Sequence, residues 1–121
     1  MTYTKEQIIE KALELADMIS NTEEVSFYKK AEEKINGHEK VQGLIAEIKK
    51  HQKEAVNLQH YRKHEALKQV EEKIDRLMNE VDEIPLVKEF KQSQTEVNDL
   101  LQMIASTISD TVTNKITNSN N

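Results

Sequence analysis

Two histidines sit four residues apart in the run His60-Tyr61-Arg62-Lys63-His64-Glu65. On one helix, residues at i and i+4 share a face, so the two imidazoles could hold a single metal ion. Two ligands do not make a zinc site, and Glu65 would point about 100° away from them. The spacing is also not that of a metalloprotease helix. Solvated or interface histidines are the simpler reading, and no metal is assigned. The other routes to catalysis are weaker. Ser20, Ser26, Ser93, Ser106, Ser109 and Ser119 occur without a strand–turn–helix elbow that would expose a nucleophile. The many carboxylates read as solvated helix faces, with little buried volume in which a pKa could be tuned. Gly37 and Gly43, the two glycines, cannot build a phosphate-cradling loop. The chain has no cysteine, which excludes disulfides, thiolate zinc, a cysteine nucleophile and cysteine-held clusters within it. A non-enzyme is expected.

Charge is distributed unevenly. The net charge is −5, which gives no general attraction to nucleic acid. Residues 1–48 carry six basic and ten acidic side chains, and residues 71–99 carry four and nine. Between them, residues 49–70 carry six basic and two acidic groups, together with His51, His60 and His64. Lys49, Lys50, Lys53, Arg62, Lys63 and Lys68 therefore form a basic island between acidic flanks. It could dock an acidic protein surface, contact RNA, or be a solvated hairpin end whose lysines pair with Glu54, Glu65 and the acidic segment that follows.

The elements that must position these residues are helices. Aromatic residues make up 4% of the chain and charged residues 32%, with one proline. That balance favours narrow apolar stripes over a thick core. Thr4 opens a capping box with Gln7, and Ile8, Ala12, Leu15, Ala16 and Ile19 follow at helical spacing. Ser20-Asn21-Thr22 breaks the chain and caps a second helix bearing Val25, Tyr28, Ala31 and Ile35, which Asn36-Gly37 ends. A third stripe runs Val41, Leu44, Ile45, Ile48, Gln52, Ala55 and Val56; a fourth runs Leu67, Val70, Ile74, Leu77, Val81 and Ile84. No Gly or Pro separates them, and a single helix of about 45 residues would span nearly 70 Å. A break near Leu58–Arg62 is expected instead. Pro85 suits the first turn of a last helix, whose Val87, Phe90, Gln94, Val97, Leu101, Ile104 and Ile108 repeat as a heptad seam.

The expected fold is all-α: an elongated antiparallel helical bundle of about five helices with coiled-coil-like heptad seams. Residues 1–113 would form one helical domain, and 114–121 a frayed polar tail. The two heptad helices joined at Pro85 are expected to pack antiparallel on each other. Val87, Phe90, Val97, Leu101, Ile104 and Ile108 form the seam, as core or between chains. So thin a bundle leaves apolar edges that an oligomer would cover. No apolar run approaches the length of a membrane span, and a cytoplasmic protein is expected.

Four stretches also resemble one family. They are Ile19-Ser20-Asn21-Thr22-Glu23-Glu24-Val25, Ala55-Val56-Asn57-Leu58, Lys63-His64-Glu65-Ala66-Leu67-Lys68-Gln69-Val70-Glu71 and Glu96-Val97-Asn98-Asp99-Leu100-Leu101-Gln102. Through them the chain resembles the YlbF/YmcA family of Gram-positive bacteria, from about residue 3 to 117. The resemblance implies a cytoplasmic all-α regulatory adaptor that associates with YlbF-like and YaaT-like proteins. It also implies links to biofilm formation, competence and sporulation, through the phosphorelay or through mRNA processing by RNase Y. The family complex is associated with cysteine-ligated iron–sulfur clusters. A chain without cysteine either supplies no cluster ligand or has its cysteine in a tail beyond this sequence, so no cofactor is assigned. On this reading His60, Tyr61, Lys63, His64, Glu65 and Lys68 form part of a partner-docking face. An RNA-binding protein using residues 49–70 and a self-assembling structural bundle are the alternatives.

Overall fold

The computed structural model describes residues 2–119, which form five α-helices. They are α1 (Lys5–Ser20), α2 (Glu23–Asn36), α3 (Glu39–His60), α4 (His64–Asp82) and α5 (Pro85–Ser119). No strand occurs among the described residues.

Each boundary has a local cause. Thr4 Oγ1 accepts from the Gln7 N–H at 3.2 Å, and the Thr4 N–H donates to Gln7 Oε1 at 2.9 Å, completing the capping box of α1. Thr22 Oγ1 accepts from the Val25 N–H at 3.4 Å and donates to the Ile19 carbonyl at 2.7 Å, so one hydroxyl ends α1 and starts α2. At the next junction His38 is the N-cap of α3: its Nδ1 accepts from the Val41 N–H at 3.2 Å. That bond leaves the ring proton of a neutral imidazole on Nε2. The last junction follows the proline: the Val87 N–H donates to the Ile84 carbonyl at 2.9 Å, with Pro85 as the first helical residue.

The break between α3 and α4 falls where the length argument put it, but neither glycine nor proline makes it. Arg62 adopts φ 56°. Around it, the Arg62 N–H donates to the Gln59 carbonyl at 3.2 Å and the Lys63 N–H to the Leu58 carbonyl at 3.0 Å. These are the two bonds of a Schellman motif, with arginine in the left-handed position that glycine usually fills.

The chain forms two compact units. One comprises Lys30–Lys91 and is built on the α3–α4 hairpin. Its core joins Ile35, Val41 and Val87, with Ile45, Val81, Ile84, Leu86 and Phe90 packed around them. The Asp82–Lys91 and Glu83–Lys88 ion pairs bridge the α4–α5 junction from its exposed side. The partner of α4 is thus α3, a correction to the expected pairing of α4 along the last helix. The three-residue turn 61–63 returns the chain at once, so the Leu67–Val81 stripe is covered by the preceding helix.

The other unit comprises the residues up to Lys29 and those from Gln92 on. α1 has no buried residue: Leu15 and Ile19 are half-buried, whereas Ile8, Ile9, Leu13 and Met18 are exposed. α5 continues through the polar stretch from residue 114, read above as a tail, as far as Ser119; residues 120 and 121 lie outside the described residues. Among the described residues, no helix is long and apolar enough to cross a membrane.

Candidate partner-docking surfaces

The α5 stripe divides along its length. Val87 is buried, and Phe90, Val97 and Ile104 are half-buried. Leu101 and Ile108 are 46% and 51% exposed. The inward face runs through Ser93, which is buried, and half-buried Leu100, with Gln94 and Leu101 turned outward. A straight helix drifts by about 20° per heptad relative to a 3.5-residue repeat, so a strict heptad does not stay on one side. No buried side-chain polar atom among the described residues lacks a hydrogen-bond partner.

What rotates outward forms its own stripe. Leu101, Ala105, Ile108, Val112 and Ile116 recur at steps of four, three, four and four, and all are exposed. Residues so spaced lie within about one third of a helix circumference. α1 adds Ile9 and Leu13, exposed on one side of its Ile8–Ile19 stripe. An apolar arc that wide has room for a second neighbour. Val112 and Ile116 carry this signal on: the heptad seam was followed only to Ile108, and Ile116 falls in the stretch from residue 114 expected to be tail.

The α3–α4 tip gathers the sequence-derived docking residues but separates the two histidines. His60 ends α3 and His64 begins α4, so they do not share one helix face. The shared helix face on which the two imidazoles could have held a metal is therefore absent, because the left-handed turn at Arg62 interrupts the helix between them. Among the described residues, no group of three metal-ligating side chains converges. Tyr61 is 70% exposed, its ring edge-on to His60 with centroids 5.3 Å apart. Lys63, His64, Glu65 and Lys68 are all exposed beside it. Lys63 is the N-cap of α4 yet makes no side-chain cap bond. With arginine at the left-handed position and lysine at the cap, the tip uses two residues that local stability does not favour.

The basic island is also less neutralised than pairing along the helix would make it. Glu54 is taken by His51, with Nδ1 and Oε2 3.1 Å apart. Among the described residues, Lys49, Lys50, Lys53, Lys63 and Lys68 have no carboxylate within ion-pair distance.

The described residues thus form an all-helical protein that exposes apolar and basic helix faces. It belongs to the YlbF/YmcA family, described as control of the competence regulator ComK, whose pattern matches residues 8–113. The chain is 59% identical over 114 residues to the uncharacterized protein YmcA of Bacillus subtilis (strain 168), covering 94% of this chain and 80% of that protein. One chain of the crystal structure of Bacillus subtilis RicA in complex with RicF shares its fold, with a TM-score of 0.85 at 19% identity. That match covers 93% of this chain and 99% of the other.

Proposed function

We propose that this chain is a non-catalytic regulatory adaptor of the cytoplasm that holds a YlbF-type partner through its exposed helical stripes. The observation that carries the reading is the Leu101–Val112 stripe of α5, apolar and exposed over three turns. Monomers rarely leave a contiguous apolar surface of that kind to water. The structural relative named above was crystallised as a complex of two proteins, which supports a heteromeric assembly here.

A YaaT-type protein joins this assembly through the α3–α4 tip, at His60, Tyr61, Lys63, His64, Glu65 and Lys68. The tip suits docking because it combines an exposed aromatic ring, unpaired cations and a turn that gives up local stability. Acting together, the proteins direct RNase Y to certain transcripts and so influence competence, biofilm formation and sporulation.

The test is affinity purification of the N-terminally tagged chain from its native cells, followed by mass spectrometry. A YlbF-type and a YaaT-type protein are expected, with the second lost on Tyr61→Ala/His64→Ala/Lys68→Glu. Deleting the gene should shift the ratio of processed to unprocessed RNase Y substrates at constant RNase Y. A homo-oligomer without partners, or unaltered processing, would count against the reading.

A further inference from the structure

Ala46, Lys49, Lys50, Lys53, Glu54 and Asn57 line a shallow groove on the outer face of α3. At about 100° per residue, this face lies opposite the one that packs through Val41, Leu44, Ile48 and Ala55. We propose that it is a further docking site, separate from the α5 stripe and the α3–α4 tip, which takes an acidic amphipathic helix of a protein partner.

Three observations converge on that occupant. First, the lysines are available. Among the described residues, none of the three has a carboxylate within ion-pair distance, and Glu54, the acid in the lining, is held by His51. Second, α3 holds the lysines together at spacings that work against it, offset only in part by Glu47 and Glu54 beside Lys50. Lys49 and Lys53 stand at i,i+4, and Lys50 and Lys53 at i,i+3, where like charges destabilise a helix.

Third, the same face carries Gly43 one turn before Ala46, both exposed. A Cβ added at Gly43 would meet nothing within 4 Å, and its φ is not positive. Neither packing within the chain nor backbone conformation therefore requires glycine there, although it weakens a helix interior relative to alanine. A low floor between lysine stems lets another helix approach closely, with its carboxylates reaching the flanking ammonium groups.

The composition of the face selects protein over nucleic acid. It has no arginine to grip phosphate bidentately and no aromatic ring on which a base could stack.

The test is fluorescence anisotropy of the full-length chain with a labelled alanine-rich helical peptide of about 20 residues, bearing Glu at steps of four, three and four. Binding that weakens with salt is expected. K49E/K50E/K53E should lower the affinity roughly tenfold or more. The charge-matched control K5E/K29E/K30E, off this face, should change it less than about twofold. G43L should also weaken binding while circular dichroism stays helical. Absence of binding at low salt would overturn the proposal, as would equal losses in the two triple variants. So would tighter binding of a uridine oligomer of about 20 nucleotides through the same lysines, which would reassign the groove to RNA. The α5 stripe plays no part in this site, so its failure as a partner surface would leave these results unchanged.

Discussion

The backbone N–H of Lys63 donates to the Leu58 carbonyl across 3.0 Å, and that bond turns the apolar pattern of residues 39–82 into an α-helical hairpin. Closing it forces Arg62 to φ 56°, a conformation that L-residues with a Cβ resist.

Arg62→Gly should therefore stabilise the protein. Relief of the left-handed strain is expected to add about 1 kcal/mol, partly offset by the greater freedom of glycine in the unfolded chain. The denaturation midpoint should rise by roughly 4 °C. A lower midpoint would mean that the arginine side chain stabilises the turn through contacts worth more than the strain.

Val41 is 1% exposed in the core it forms with Ile35 and Val87. Val41→Ala removes two methyl groups and leaves a cavity, so a loss of about 2–3 kcal/mol is expected in urea denaturation. Val56→Ala, at a position 65% exposed on the same helix, should stay within about 0.5 kcal/mol. Equal losses would place Val56 in a packed environment that the fold does not provide.

The capping box of α1 is its best-defined local interaction, because no residue of that helix is buried. Thr4→Ala should cost about 1 kcal/mol. Amide hydrogen exchange should show faster exchange across the first turn, with α3 and α4 unaffected. Unchanged protection would show that something other than the cap holds the helix start.

The parts of this fold written in local chemistry were legible. Thr4, Thr22 and Pro85 each act at a helix start, as their residue types and neighbours indicate. The break between α3 and α4 was inferred from length alone, since Arg62 carries no turn signal. Its left-handed conformation is imposed by the helices on either side. His38 as an N-cap was missed because imidazole is a rare cap, recognisable only once Nδ1 faces the Val41 N–H. The heptad reading of α5 found the right helix and blurred its two faces. Ser93 packs inward and Leu101 outward, a distinction that depends on the neighbours and not on the pattern. The basic island was visible as a composition; that Glu54 serves His51 and leaves the lysines unpaired required side-chain geometry.

Under the proposed function, the outward stripe of α5 is a partner surface and not a core. The direct measurement is the molar mass, by light scattering during gel filtration, of the chain co-expressed with its YlbF-type relative. Ile108 and Val112 are each 51% exposed, so Ile108→Glu/Val112→Glu should leave the helical circular dichroism of the isolated chain intact. With the partner present, the same variant should elute as separate components, whereas the unaltered chain elutes as a complex. A complex of unchanged mass would contradict the account, and so would a variant that unfolds on its own, because the stripe would then belong to the chain's own core.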